Sequence, residues 1–320
     1  MTQIRLAVIG AGQFGQNHCR VVHESEPARL CAVVDIDGDR AAAAAAQYGA
    51  EAFTGYRDLR GKVDAAIVAA PTTRHEEIGC WLMEAGIDCL VEKPLAPDLE
   101  AAGRLVDTAE RHGRMLQVGH LERFNPGVVE LERRATLPLF FEIHRLNLFS
   151  PRSLDVDVVL DLMIHDVDIV LALTKMEPSE IRAAGVSILS PKVDIANVRM
   201  QFANGCVANL TASRVSTERV RKLRLFQPTQ YLALDYTRQD LTVFTVSEGL
   251  RIGFEKAMVK QAEPLKLQME AFLNSIETRK SPKCSGQTAR QSLGVALAIL
   301  DKIEEHSCVV AKSLEGGWNR

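Results

Sequence analysis

A short apolar run, residues 4–9 (IRLAVI), feeds directly into Gly10-Ala11-Gly12-Gln13-Phe14-Gly15, and this junction constrains the fold more than any other stretch. Six residues of this kind, bounded by glycine, read as a buried parallel strand. The glycines then have separate steric uses. Gly10 permits a tight turn, Gly12 lets backbone approach a pyrophosphate, and Gly15 lets the next helix pack closely on the strand. That helix, expected from about Gly12 to Glu24, turns its unpartnered N-terminal N–H groups toward the phosphates. Glycines also end strands for purely steric reasons, so the pattern needs a second feature. Asp35 supplies it: it closes the apolar run 30–35 (LCAVVD), twenty residues beyond Gly15, where a carboxylate accepts hydrogen bonds from the adenosine ribose. The same carboxylate repels a 2′-phosphate, so the expected cofactor is NAD rather than NADP, with Arg40 offsetting part of that repulsion.

The stretch that follows keeps alternating. Apolar runs at 63–71, 88–94 and 115–120 are separated by helical segments at 72–86 and from Asp98, a suitable N-cap, to His112. The Ala-rich segment 40–47 is a further strong helix former. This order predicts a doubly wound parallel sheet, a Rossmann domain over residues 1–120. From 121 the texture changes. Helices are expected at 126–134 and 156–174, then strands at 180–189, 194–203, 206–216, 222–235 and 240–246, with Asn204-Gly205 as a hairpin turn. Helices at 264–279 and 286–306 finish the chain. The fold class is therefore α/β, with an N-terminal Rossmann sheet and a C-terminal α+β domain (121–320) built on an open, mainly antiparallel sheet. Alternating strands such as 198–202 and 206–212 are expected to leave apolar residues on a face that the helices do not cover, predicting a homodimer or homotetramer.

Charge and composition exclude other classes. With 38 basic and 41 acidic side chains the net charge is -3, which argues against a nucleic-acid partner. No apolar run approaches the roughly 18 residues of a membrane span. Seven scattered cysteines without a C-x-x-C pair, and no cleavable leader, predict reduced thiols in the cytoplasm.

Two polar constellations stand out. Glu92-Lys93-Pro94 follows a strand at the carboxyl end of the predicted sheet, where doubly wound folds bind ligands. Asp161, His165 and Asp168 have i, i+4, i+7 spacing and are expected on one helix face. A metal site is disfavoured, because no further Cys/His cluster completes a coordination shell.

In order along the chain, GAGQFG, Asp35, APTTRH (70–75), EKP (92–94) and D-x-x-x-H-x-x-D (161–168) resemble the Gfo/Idh/MocA oxidoreductases. The resemblance covers nearly the whole chain and implies an NAD(P)-dependent dehydrogenase acting on CH–OH groups of sugars or cyclitols. It implies Lys93, Asp161 and His165 as catalytic residues. Gly10, Gly12, Gln13, Phe14, Gly15, Asp35, Pro71, Thr72, His75, Glu92 and Lys93 are implied at the cofactor. The segment GHLERFNP (119–126) matches a region lining the family's active site, implying His120, Arg123 and Asn125 as substrate contacts beside Asp161 and His165. In the chemistry these residue types suit, His165 takes the alcohol proton, Lys93 hydrogen-bonds the reacting oxygen, and Asp161 orients the imidazole or contacts the sugar. Ala70-Pro71-Thr72 departs from the family's frequent Thr-Pro-Asn, and DVDVVLD (155–161) lacks its usual glycine pair. Within the family, residues 119–126, 155–170 and 204–227 look like the branch that oxidises UDP-N-acetylglucosamine at C3 toward the 3-amino sugars of lipid A. Arg123, Arg214, Arg219 and Arg221 are then candidate diphosphate partners, although alternating charges also protect an exposed strand edge. A free sugar or cyclitol substrate, or a non-catalytic NAD-binding regulator on the same fold, are the alternatives.

Overall fold

A computed structural model describes residues 3–149, 156–247 and 251–315, with side chains as far as 311. The chain divides into two compact units: Met1–Phe124 with Ala262–Arg290, and Asn125–Gln261 with Gln291–Arg320.

The first unit begins with β1 (Ile4–Ile9), α1 (Gln13–His23), β2 (Ala28–Val34), α2 (Gly38–Tyr48) and the short β3 (Glu51–Phe53). It continues with β4 (Ala65–Val68), α3 (His75–Glu84), β5 (Asp88–Val91), α4 (Leu99–His112) and β6 (Leu116–Val118). All six strands are parallel, in the order β3-β2-β1-β4-β5-β6, the doubly wound arrangement whose topological switch lies between β1 and β4. Asp98 caps α4 by accepting from the Ala101 N–H at 2.8 Å, and Gly113 ends that helix in the left-handed region at φ 60°.

In the second unit, α5 (Pro126–Arg134) and β7 (Phe140–Leu148) precede a π-helical turn at Val159–Met163, which leads into α6 (Ile164–Thr174). Seven strands follow: β8 (Pro178–Val186), β9 (Ile195–Phe202), β10 (Val207–Ser216), β11 (Val220–Gln227), β12 (Gln230–Asp235), β13 (Asp240–Ser247) and β14 (Arg251–Lys256). With β7 they form an eight-stranded sheet in the order β14-β13-β12-β11-β7-β10-β9-β8, antiparallel except for β7 against β10. Two helices close the chain, α7 (Pro264–Thr278) and α8 (Gly286–Glu315). The run 222–235, expected as one strand, is two strands broken at Pro228-Thr229, where Thr229 takes φ 61°.

A single cut near residue 120 does not describe this division. Helix α7 places Leu265, Met269, Phe272 and Leu273 in the same core as Leu6, Val8, Leu30 and Val33 of the Rossmann sheet. Their i, i+4, i+7, i+8 spacing makes one apolar stripe, and burying each such side chain contributes roughly 1.5–3 kcal/mol. Residues distant in sequence thus complete the first unit.

The open sheet also departs from expectation. Val198, Met200 and Phe202 of β9 and Ala208, Leu210 and Ala212 of β10 point into the core shared with α6 and α8. Their outward neighbours are Asn197, Arg199, Gln201, Asn209 and Thr211, so this part of the outer face is polar. Its apolar part lies elsewhere, as a ladder of cross-strand aromatic neighbours: Phe140, Phe226, Tyr231, Phe244 and Phe254. Successive ring centroids are 5.9, 4.7, 5.1 and 5.3 Å apart. Phe226 is 37% exposed and Phe254 68%. Among the described residues no helix is long and apolar enough to cross a membrane.

Candidate active site

Two glycines of the loop sit where only glycine fits. Gly10 ends β1 at φ 96°, and a Cβ there would lie 2.5 Å from the Ala69 carbonyl oxygen. A Cβ on Gly15 would fall 1.7 Å from the Gly10 carbonyl oxygen, so α1 could not sit so close to β1. Gly12 is different: nothing lies within 4 Å of its missing side chain. The space that a Cβ would fill is open at the N-terminus of α1, which has no side-chain cap and no acidic residue in its first turn. Backbone N–H groups and the positive helix end are thus left facing that space, which suits a pyrophosphate. Gln13 and Phe14 are exposed in the first turn of α1.

Asp35 stands at the end of β2 with its carboxylate buried. Oδ2 accepts the Ala11 N–H at 2.8 Å and Oδ1 accepts the Asp37 N–H at 3.0 Å, tying the glycine loop to the β2 end. Each oxygen keeps a second lone pair for a ribose hydroxyl. Arg40 lies 3.7 Å from Asp35 and 3.0 Å from Asp37, so the partial charge compensation expected beside Asp35 is built. Arg40, through its backbone N–H and then its guanidinium, holds the Asp37 carboxyl below the usual carboxylate range.

Beyond β4, Pro71 is exposed and Thr72 half-buried at the start of a short 3-10 turn. His75 is turned inward. Its ring is buried, with Nδ1 3.0 Å from the Pro94 carbonyl and Nε2 2.8 Å from that of Ala70. Burial pushes its pKa down, against the raising effect of these carbonyls. His75 therefore clamps the loop after Lys93 to the end of β4. Glu92 also turns inward, its carboxylate 2.8 Å from Nε2 of His18, whereas Lys93 is half-buried beside it, and the Lys93–Pro94 peptide is cis. After β6, His120 and Arg123 are buried, and the Arg123 carbonyl accepts from Lys283 Nζ at 2.9 Å. Lys283 is a cation that the sequence reading did not single out.

In the second unit Asp161 lies in the π-helical turn and His165 at the start of α6, both half-buried. Single π turns are frequent at functional sites. Asp168, three residues after His165 in α6, is buried and accepts from the Ser292 hydroxyl at 2.9 Å. Asn125, expected as a substrate contact, caps α5. Its Oδ1 accepts the Gly127 N–H and its Nδ2 donates to the Tyr236 carbonyl, both at 3.0 Å. Arg214 is likewise structural: its guanidinium donates to the carbonyls of Val156 and Val193 and lies 3.5 Å from buried Asp194. Arg219 is exposed and Arg221 half-buried. Asp155 lies outside the described residues.

A buried triad went unseen in the sequence. Arg145 on β7 makes two 2.7 Å bonds to Asp166, the residue after His165, and both side chains are 2% exposed. The Tyr236 hydroxyl donates to Asp166 at 3.1 Å, and its ring lies 4.8 Å from the Arg145 guanidinium carbon. Only an Asp-after-His in an otherwise apolar helix hinted at it.

Comparison with known proteins adds a second line of support. Residues 4–120 match the model of an oxidoreductase family with an NAD-binding Rossmann fold, and residues 143–227 match the GFO/IDH/MocA C-terminal domain. The UDP-N-acetylglucosamine 3-dehydrogenase of Acidithiobacillus ferrooxidans is 35% identical over 310 residues, covering 95% of this chain and 98% of that protein. Its solved structure superposes with a TM-score of 0.90, covering 95% of this chain and 99% of that one. The inositol 2-dehydrogenase of Corynebacterium glutamicum is 31% identical over 222 residues, 65% of this chain and 66% of its own length. An oxidoreductase domain protein from Kribbella flavida shares the fold, with a TM-score of 0.88 at 20% identity.

Proposed function

The chain belongs to the Gfo/Idh/MocA family of NAD-binding oxidoreductases, and from that premise we propose that it oxidises a secondary hydroxyl of a UDP-sugar, at C3 of UDP-N-acetylglucosamine. The observation that carries this reading is coverage. The similarity to a UDP-N-acetylglucosamine 3-dehydrogenase runs almost from end to end, whereas that to an inositol dehydrogenase spans about two thirds of the chain.

Bound NAD supplies the acceptor for the two electrons that leave the carbon. The protein's own residues do the rest. Gly10, Gly12 and Gly15 with the first turn of α1 hold the pyrophosphate, and Asp35 holds the adenosine ribose. Lys93 hydrogen-bonds the reacting oxygen and stabilises its developing negative charge. His165 accepts the hydroxyl proton, and Asp161 orients its ring or contacts the sugar. Arg123, Arg219 and Arg221 are the candidates for the diphosphate, since Arg214 is engaged within its own unit. The 3-keto product suits an aminotransferase on the way to a 3-amino sugar of lipid A. No disulfide joins the described cysteines, which accords with a cytoplasmic setting.

Mixing purified protein with NAD and UDP-N-acetylglucosamine is expected to raise absorbance at the reduced-nicotinamide band. Free N-acetylglucosamine and myo-inositol should give no such rise. A signal with inositol or glucose alone would replace the nucleotide-sugar reading with a cyclitol or sugar one. Tight NAD binding without turnover of any alcohol would point to a regulator.

The aromatic ladder supports a homodimer or homotetramer joined through the open sheet, in place of the strand faces at 198–202 and 206–212. These neighbouring, partly exposed rings give each copy the same apolar strip, which a twofold axis can pair with itself. Light scattering is expected to show at least a dimer, and Phe226→Glu with Phe244→Glu a monomer. A wild-type monomer at micromolar concentration removes this assignment.

A further inference from the structure

We propose that His18 is a positioning residue for Lys93, acting through a buried His18–Glu92 pair; this rests on the reading of Lys93 as the group at the reacting oxygen. His18 lies on α1 one turn after Gly15 and is fully buried. Its Nε2 is 2.8 Å from Oε1 of Glu92, which directly follows β5 and itself is buried. The second carboxylate oxygen, Oε2, lies 3.3 Å from the donating backbone N–H of Lys93. The carboxylate also rests on Gly119, after β6: a Cβ there would come within 2.5 to 2.6 Å of its carbon and both oxygens. Phe14 closes over the His18 ring edge-on, with centroids 5.2 Å apart.

One carboxylate therefore joins three segments. The helix that carries the glycine fingerprint, the residue that carries the lysine, and the turn at Gly119-His120 all meet at its two oxygens. Backbone bonds from Glu92 N–H to the Val68 carbonyl (3.0 Å) and from Gly119 N–H to the Val91 carbonyl (2.8 Å) bring those segments into line. They do not by themselves fix the side chain between them. His18 does. Nδ1 of His18 has no hydrogen-bond partner among the described residues, so the ring meets Glu92 through Nε2, whose proton goes to the carboxylate. An apolar pair of similar volume would fill the same space without the desolvation of a carboxylate. What it would lack is a fixed acceptor for the Lys93 N–H. The histidine thus transmits the placement of the cofactor helix to the lysine main chain.

The test compares His18→Leu, His18→Asn and His18→Gln with Lys93→Met and with the double variant His18→Leu/Lys93→Met. Each is assayed for kcat, KM, NAD dissociation constant and cooperative thermal melting. A displacement of catalytic groups by about an ångström costs on the order of 100-fold in rate. His18→Leu is therefore expected to lower kcat by about 10- to 100-fold with NAD affinity little changed. His18→Gln, whose amide reaches the carboxylate, should recover most of the rate, and His18→Asn, one carbon shorter, should not. In the Lys93→Met background His18→Leu should cost little more, because both act on one group. If Lys93→Met keeps the wild-type rate, the reading of Lys93 fails. If Lys93→Met is slow but His18→Leu is not, or the two losses multiply, the positioning role fails. Should His18→Leu not melt cooperatively, the comparison of Gln with Asn decides: equal rates for the two overturn the proposal.

Discussion

His165→Ala is expected to lower kcat by about 100- to 10,000-fold, the usual contribution of a positioned acid–base group, while leaving NAD affinity nearly unchanged. The separation of effects follows from where the residues sit. His165 opens α6 in the second unit, after the π turn that holds Asp161. The glycine loop and Asp35, proposed to hold the dinucleotide, belong to the first unit. Removing an imidazole from α6 takes away the proton acceptor without touching the pyrophosphate cradle. Titration of NAD into the variant and initial rates with UDP-N-acetylglucosamine across about pH 6–9 measure both halves. A variant with near-normal kcat over that range removes His165 from the mechanism.

Asp166→Ala is expected to be the most destabilising single substitution near the site. It leaves the Arg145 guanidinium buried without its two 2.7 Å carboxylate bonds, and also removes the acceptor of the Tyr236 hydroxyl. Breaking a buried ion pair from one side costs about 3–5 kcal/mol, because the remaining charge is uncompensated. At roughly 2–4 °C per kcal/mol for a unit of this size, melting should fall by about 6–20 °C. Replacing both members, Arg145→Met with Asp166→Leu, should recover much of that loss, since no charge remains buried. Calorimetry on both variants beside the unaltered protein checks this. A drop below about 1 kcal/mol for Asp166→Ala would show that water reaches Arg145 and that the triad does not brace α6.

Reading the sequence succeeded where function is carried by backbone and spacing. The steric uses expected of Gly10 and Gly15 follow from room, and a Cβ at either position would strike backbone, whereas the space beside Gly12 is open. Asp35 was legible because a residue closing a parallel strand of this topology lies beside the glycine loop. The side chains around the loops were harder. His75, Glu92 and Asn125 all stand in segments that match the family's functional motifs, yet the structure turns each inward, onto carbonyl oxygens, a histidine and a helix end respectively. Sequence adjacency to a functional residue does not reveal which way a polar side chain points when a buried partner competes for it. Spacing alone likewise does not show that Asp168 accepts from Ser292, a residue 124 positions away.

The same distinction separates the two layers of this protein. Periodicity, turn residues and three glycines determined by themselves that a doubly wound parallel sheet comes first and an open antiparallel sheet follows, because these depend on local sterics and on which face is apolar. Tertiary structure alone decided that α7 belongs with the Rossmann sheet, that the exposed apolar strip is an aromatic ladder on β7 and β11–β14, and that His18 meets Glu92 across 74 positions. Those depend on contacts between residues far apart in sequence, whose partners no local pattern specifies.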